Sequence, residues 1–235
     1  MKPFCGVIFL LIIYSAAAQG DLTNKYGLQL VQNEAAYTKS IINKPGFAMA
    51  DLKKAVPQIE FDLRYATSNN FLHKAIYPPL STAFLRYKAV TGLIAVQNEL
   101  KAKGLGLKIF DAYRPYTVTE KIWKLVNDER YAASPEKGSN HNRGVAVDLT
   151  VIDLKTKAAL EMGTDFDSFS DSAHHNFTAL PGEVLQNRQL LKSTMEKYGF
   201  ESFDTEWWHY TLPNAKQYEL MNLSFKQLKK LTADH

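Results

Sequence analysis

Two short segments hold side chains that could bind one metal ion and carry out hydrolysis beside it. The first, Ser139–Asp148 (SNHNRGVAVD), contains a histidine and a carboxylate, and the second, Glu206–His209 (EWWH), contains another of each. Two imidazoles and one carboxylate can supply the three protein ligands of a catalytic zinc site, whose fourth position is kept for water. The spare carboxylate could act as a general base. Together the segments predict a hydrolytic zinc site.

Each segment taken alone also has a simpler interpretation. His141 and Asp148 could form a hydrogen-bonded structural pair, and Glu206 and His209 could be a surface carboxylate and a core histidine. Two features favour a metal. Asp148 lies in an otherwise apolar strand pattern, where a carboxylate costs free energy unless it is paired or bound to a metal. Gly144 permits a tight turn that could bring His141 back over that strand.

The pattern of apolar residues predicts an α+β fold. Alternating or short apolar runs predict strands at residues 59–65, 107–110, 144–153 and 207–212, and helical spacing predicts helices at 81–103 and 183–198. A further helix would begin with a Thr117–Glu120 capping box. The elements show no regular βαβ alternation, so we predict a mixed, largely antiparallel central sheet flanked by helices. A turn over residues 204–206 would let Glu206 and His209 face one cleft.

The composition is that of an ordinary globular protein. A chain of 235 residues with 46% hydrophobic and 22% charged residues fits one domain with its own core. The formal net charge of +4 is mild, and the Lys and Arg residues form no basic stripe, so no nucleic-acid partner is expected. Residues 21–57 are mixed in character and are expected to wrap the domain as an N-terminal arm.

The first residues of the chain are typical of a secretory signal peptide. Lys2 precedes an apolar run from Phe4 to Tyr14, and small residues follow up to Ala18. The run is shorter than the roughly 20 residues that span a membrane. We therefore predict a signal peptide at residues 1–18, an exported domain at 19–235, periplasmic or secreted, and no stable membrane span after cleavage. Since Cys5 lies in the signal, the mature chain would have no disulfide.

The motifs resemble one enzyme family. S-x-H-x-x-G-x-A-x-D with a downstream E-x-W-H is similar to the zinc D-alanyl-D-alanine dipeptidases, the VanX-like branch of the D,D-peptidases (peptidase M15 type). Other blocks that resemble the family are DLRYAT at residues 62–67, DAYRP at 111–115, MGTDFD at 162–167, SAHH at 172–175 and GFE at 199–201. The resemblance covers roughly residues 55–212, and it implies a single zinc-peptidase domain.

The resemblance implies a role for five residues in catalysis. His141, Asp148 and His209 would bind one zinc ion per chain. Glu206 would be the catalytic base, and Arg114 would stabilise the negative charge of the transition state. Without the resemblance, the residues favour one half of a surface salt bridge for Arg114.

The resemblance also implies two residues that bind substrate, which would be a D,D-dipeptide or a peptide derived from peptidoglycan. Asp167 would bind the free α-amino group of a dipeptide; from the residues alone it could also cap the loop at 168–170. Ser139 would contact the substrate or support His141. The adjacent His174 and His175 are not expected to share one ion, because neighbouring side chains rarely point at the same site.

Two other functions are compatible with these motifs. A D,D- or L,D-carboxypeptidase acting on longer peptidoglycan peptides shares the zinc core, and a non-catalytic zinc-stabilised binding domain, as in the related hedgehog-type fold, could hold the metal alone. Glu206 and Arg114 argue against the second, because a structural site needs neither a base nor an oxyanion partner. The sequence therefore predicts zinc-dependent hydrolysis of D-alanyl-D-alanine or closely related D,D-dipeptides by a metal-activated water.

Overall fold

The computed structural model of the chain describes residues 23–129 and 132–233, so the predicted signal peptide at 1–18 lies outside the described residues. Within those ranges the α-helices are α1 Glu34–Ile41, α2 Leu52–Ala55, α3 Tyr87–Lys101, α4 Tyr116–Val126, α5 Gly182–Lys197 and α6 Phe225–Leu231. The strands are β1 Leu30–Val31, β2 Met49–Asp51, β3 Glu60–Phe61, β4 Phe84–Arg86, β5 Leu105–Asp111, β6 Ala146–Asp153, β7 Glu201–Phe203, β8 Glu206–Thr211 and β9 Leu220–Met221.

A five-stranded sheet in the order β3-β5-β6-β8-β7 forms the centre of the molecule. Only the β3–β5 pair is parallel among these five strands, and the other three pairs are antiparallel. Strand β6 lies in the middle and is buried along almost its whole length, with α3 against β5 and α5 against β6 and β8. The predicted α+β fold with a mixed, largely antiparallel sheet is confirmed.

The N-terminal arm is joined to the rest of the chain by two small sheets. Strand β1 pairs in parallel with β9 near the C-terminus, and β2 pairs antiparallel with β4. The amide of Met49 also donates a hydrogen bond to the Tyr37 hydroxyl, which ties β2 to α1. The arm therefore pairs with segments on both sides of β6 in sequence, β4 before it and β9 after it. No helix of the described part of the chain is long and apolar enough to cross a membrane.

The strands and the helix that carry or support the predicted site lie where the sequence predicts them, within two residues at each end. This holds for β5, β6, β8 and α5. Gly199, two residues after the end of α5, has a φ of 88°. Such a positive φ ends a helix without the steric penalty that a side chain would meet.

The helix predicted at 81–103 is shorter, because its first part is a strand. Residues 84–86 form β4 and pair with β2, and α3 begins only at Tyr87. The apolar run before Tyr87 is buried against the arm, and a short buried run has no periodicity that separates strand from helix.

Two further predictions were wrong in detail. The strand predicted at 59–65 is limited to β3, and a 3₁₀ turn at Arg64–Ala66 follows, which directs the Tyr65 ring into the core. Thr117 and Glu120 form no capping box: the amide and hydroxyl of Thr117 both donate to the Asn222 side chain, and Glu120 lies 3.3 Å from Lys25 Nζ. A distant polar partner has replaced the local one.

Gly144 lies between His141 and β6, and we expect its replacement by alanine to destabilise the fold. Its φ is 70°, and a Cβ there would lie 2.9 Å from the sulfur of buried Met49. Gly199→Ala is the control, because its φ is also positive but no atom would lie within 4 Å of the new Cβ. Urea unfolding should show a loss of about 1–2 kcal/mol for Gly199→Ala from backbone strain. Gly144→Ala should lose about 1–3 kcal/mol more from overpacking; equal losses would mean that Met49 moves freely.

Candidate active site

The pairing of β6 with β8 places two of the predicted ligands side by side. Asp148 and His209 are direct partners in the antiparallel register, so their side chains lie on the same face of the sheet. His209 Nδ1 lies 2.9 Å from Asp148 Oδ1, and His209 Nε2 is hydrogen-bonded to the Thr211 hydroxyl at 3.0 Å. A neutral ring can keep its proton on Nε2, toward Thr211, and leave Nδ1 for a metal.

His141 reaches the same place from a 3₁₀ turn just before β6. The turn covers His141–Arg143 and ends at Gly144, whose left-handed conformation returns the chain to the sheet, as the sequence predicts. His141 Nδ1 donates to the Ala112 carbonyl oxygen at 2.7 Å, since a carbonyl can only accept, and Nε2 lies 3.3 Å from Asp148 Oδ2. A ligating histidine commonly has its other ring nitrogen fixed in this way.

The resulting group could hold a divalent metal, and its two histidines are neutral. One ligand atom from each of His141, Asp148 and His209 lies within 4.8 Å of the others. Burial holds the pKa of both histidines below the usual range, so both rings are neutral as ligands must be. Burial, with Asp111 nearby, also raises the pKa of Asp148 well above its usual value, and Arg114 opposes this only in part. A bound cation would stabilise the charged form of Asp148.

Glu206 stands beside the group at the start of β8. The turn at residues 204–205 joins β7 to β8, and the pairing register shifts between Ser202 and Phe203, which is a bulge-like irregularity. Glu206 Oε2 lies 3.8 Å from His209 Nδ1, although a regular strand would direct these two side chains to opposite faces. Burial raises the pKa of Glu206, and its side chain is still 32% exposed. A carboxylate so placed can accept a proton from a molecule in the cleft.

Arg114 is buried beside the cleft and is held by a second carboxylate. Its Nε and Nη2 donate to Asp111 Oδ2 at 3.1 and 2.8 Å, and its guanidinium lies 5.1 Å from the centre of the Tyr65 ring. The Tyr77 hydroxyl donates to the other oxygen of Asp111 at 2.9 Å. The surface salt bridge considered for Arg114 is thus wrong, because the residue is only 8% exposed.

Asp167 lies on a loop and is joined to Arg114 through Tyr65. The Tyr65 hydroxyl donates to Asp167 Oδ2 at 2.8 Å, and burial, with Asp148 nearby, raises the pKa of Asp167 well above its usual value. The backbone of Asp167 has a φ of 59°, which is uncommon for a residue with a side chain and is found more often at functional positions. The hydroxyls of Ser168 and Ser170 are hydrogen-bonded to each other at 2.9 Å, and not to the Asp167 side chain.

Ser139 supports the turn that carries His141. Its hydroxyl accepts a hydrogen bond from the His141 amide at 3.2 Å, and its own amide donates to Asn142 Oδ1 at 2.8 Å. The Asn142 side chain in turn donates to the carbonyl oxygen of Arg114 at 2.8 Å. Ser139 also lines the cleft, so a contact with substrate stays a prediction.

One cleft of about 850 Å³ is lined by every residue predicted for the site: Arg114, Ser139, His141, Asp148, Asp167, Glu206 and His209. His174 lines it as well, whereas His175 donates its amide to the Asp204 carbonyl and is part of no metal-binding group among the described residues.

The sequence interpretation gave no role to Asp111, Tyr65 or Asn142, which hold the predicted residues in place. Asp111 carried a usable signal, because it ends a buried strand three residues before Arg114, where an unpaired carboxylate would be costly. No local pattern indicates the other two.

Comparisons with known proteins agree with these motifs. A family model described as D-ala-D-ala dipeptidase matches residues 47–229. A D-alanyl-D-alanine dipeptidase of Escherichia coli is 36% identical over 173 residues, which cover 74% of this chain and 89% of that protein. One of Enterococcus faecalis is 31% identical, covering 66% of this chain and 86% of that protein. The solved structure of the LdcB LD-carboxypeptidase aligns with a TM-score of 0.40 at 17% identity, over 76% of this chain and 72% of that one.

The buried pair of Arg114 and Asp111 should show strong coupling. We expect Arg114→Ala to lower the free energy of unfolding by about 3 kcal/mol, because it leaves the Asp111 carboxylate buried without its counterion. Adding Asp111→Asn should recover part of that loss. Lys230→Ala breaks an exposed pair with Glu34 and should cost less than about 1 kcal/mol. Urea unfolding of the variants measures these values, and additive losses in the double variant would contradict the coupling.

Proposed function

The chain belongs to the D-ala-D-ala dipeptidase family, and on that premise we propose that it is a zinc-dependent dipeptidase that hydrolyses D-alanyl-D-alanine or closely related D,D-dipeptides with a metal-activated water. The resemblance stated from the motifs is confirmed, as is the prediction of an enzyme of this class. The observation that carries the proposed mechanism is that His141, Asp148 and His209 converge within 4.8 Å beside Glu206 and Arg114.

The ligand group supplies the metal chemistry. A zinc ion held by His141, Asp148 and His209 would lower the pKa of water and polarise the peptide carbonyl. The Ala112 carbonyl keeps the proton of His141 on Nδ1 and its Nε2 free for this role. The donor set of two nitrogens and one oxygen is one that zinc accepts in catalytic sites.

Glu206 and Arg114 carry out the remaining steps. Glu206 takes the proton of the attacking water on a carboxylate oxygen and later gives it to the leaving amine. Burial raises its pKa, which makes the carboxylate a stronger base toward the water. Asp111 binds the Nε hydrogen and one Nη2 hydrogen of Arg114, so both Nη1 hydrogens and the second Nη2 hydrogen remain for the oxygen on which negative charge develops.

Asp167 favours a short substrate with a free amine. Its carboxylate has a raised pKa and is paired with the neutral Tyr65 hydroxyl, so a cationic partner would stabilise its charged form. The ammonium group of a dipeptide supplies that charge, whereas an internal residue of a longer peptide supplies an uncharged amide. This favours the dipeptidase over the alternative of a D,D- or L,D-carboxypeptidase. We further propose, from the pattern of residues 1–18, that the enzyme is exported and meets peptides derived from peptidoglycan.

The test of the proposed function compares turnover with zinc content in the purified protein. Zinc chelation should abolish hydrolysis of D-alanyl-D-alanine, and His141→Ala should lose the metal. Glu206→Ala should keep the zinc but lose about 10²–10⁴-fold in rate, as expected for a general base. Asp204→Ala removes an exposed carboxylate from the same hairpin and should change neither quantity. Normal turnover by Glu206→Ala, or full zinc occupancy of His141→Ala, would refute the assignments.

The role of Asp167 predicts a dependence on the amine of the substrate. Acetylating the amine of D-alanyl-D-alanine should lower kcat/KM at least about tenfold, because a charge-assisted contact of about 1–3 kcal/mol is lost. Asp167→Asn removes the charge with a residue that also tolerates the positive φ, and it should reduce this discrimination. The control Asp171→Asn, elsewhere on the cleft, should leave the discrimination unchanged. Similar wild-type rates on the free dipeptide, its acetyl form and a peptidoglycan pentapeptide would instead favour the carboxypeptidase.

A further inference from the structure

We propose that Arg86, a residue outside the cleft, is a positioning residue that holds the His141 turn ready for the metal. The inference rests on the proposed function, because it takes His141 as a metal ligand. Arg86 ends β4, and its side chain is fully buried (0% exposed) without lining the cleft. A guanidinium is costly to bury unless its donors are satisfied, so its partners indicate what it stabilises.

The donors of Arg86 connect three separate parts of the chain. Nε donates to the Arg143 carbonyl at 2.9 Å, Nη1 to the Phe47 carbonyl at 2.5 Å, and Nη2 to the backbone and carboxylate oxygens of Glu219 at 3.3 and 3.4 Å. The backbone amide of Arg86 donates to the Gly144 carbonyl at 2.8 Å. One residue thus bonds the last residue of the His141 turn and the glycine that ends it.

The surroundings of Arg86 leave these contacts little freedom. The guanidinium lies 5.9 and 5.8 Å from the ring centres of Phe47 and Tyr218, and those two rings lie 4.3 Å apart. The side chain of Arg143 donates to the Tyr218 carbonyl, so the turn is fixed to the same segment a second time. Lys44 Nζ, in the N-terminal arm, lies 3.8 Å from the Glu219 carboxylate. The N-terminal arm and the segment before β9 therefore enclose the turn.

This arrangement matters because the ligands are held in different ways. Asp148 and His209 are fixed by the pairing of β6 with β8, whereas His141 lies on a turn outside the sheet. Without the Arg86 side chain, the Arg143 carbonyl of the turn would lose the donor that also binds the Phe47 and Glu219 carbonyls, and the metal itself would have to order the turn, at the expense of binding free energy. Residues that orient a ligand from behind typically affect metal affinity about 10–100-fold when they are replaced.

The experiment measures zinc binding directly and needs no substrate. Arg86→Met keeps an unbranched apolar stem but removes all side-chain donors, and the backbone amide can still bond the Gly144 carbonyl. Arg86→Lys keeps the charge with a single nitrogen that cannot span the three carbonyls. Arg188→Met is the matched control: Arg188 is also buried (4% exposed) and donates to backbone carbonyls, those of Met162 and His174, but contacts no residue of the turn. Each apo-protein is titrated with zinc against a chromophoric chelator, and the rate of zinc release and the urea unfolding curve are recorded.

We expect Arg86→Met to weaken zinc binding about 10–100-fold and to speed its release, with Arg86→Lys between this variant and wild type. Arg188→Met should lose stability in urea but bind zinc within about twofold of wild type. The inference is overturned if Arg86→Met binds zinc like wild type, or if Arg188→Met weakens binding equally. If Arg86→Met does not fold, Arg86→Lys decides, and an unchanged zinc affinity overturns the inference. His141→Ala in the same titration tests the proposed function separately, because its full zinc binding would remove the ligand assignment itself.

Discussion

The structure depends on one buried carboxylate. Asp148 lies near the start of the sheet's central strand, 3% exposed, and burial there disfavours its charged form. Two histidines approach its two oxygens, one from the neighbouring strand and one from the turn before its own strand. In the neutral rings the nitrogens that face Asp148 carry no proton, because the protons lie toward Ala112 and Thr211, so the histidines satisfy neither the hydrogen bonds nor the charge of Asp148. The group is thus suited to receive a cation.

The other charged groups of the site are arranged in series around this carboxylate. Asp111 holds Arg114, Arg114 lies over the Tyr65 ring, and the Tyr65 hydroxyl reaches Asp167. Under the proposed function, a substrate between Arg114 and Asp167 would meet a fixed cation at one point and a carboxylate at another. Such fixed groups need no reorganisation when charge develops in the reaction, which is where electrostatic catalysis gains most.

The sequence predicts the residues of the site better than it predicts the hydrogen bonds that hold those residues in place. His141, Asp148, Glu206 and His209 can be recognised because their identities and spacing express a chemical requirement, and Gly144 because only a flexible backbone can make its turn. The bonds of Arg86 to the carbonyls of Phe47 and Glu219 leave no such trace, since any residue can offer a carbonyl. The capping box predicted at Thr117 failed because of another distant partner: the Asn222 side chain, more than a hundred positions away, accepts the Thr117 amide.

The irregular pairing of β7 with β8 has a consequence for association between molecules. The β7 strand is one edge of the central sheet, and exposed edges are templates on which another chain can add a strand and start aggregation. This edge has only three residues, begins with the charged side chain of Glu201, and loses its regular register between Ser202 and Phe203. Short length, charge and a bulge are each known to block such pairing. In a regular hairpin Glu206 and His209 would face opposite sides of the sheet, so one irregularity both limits pairing at this edge and keeps Glu206 in the cleft.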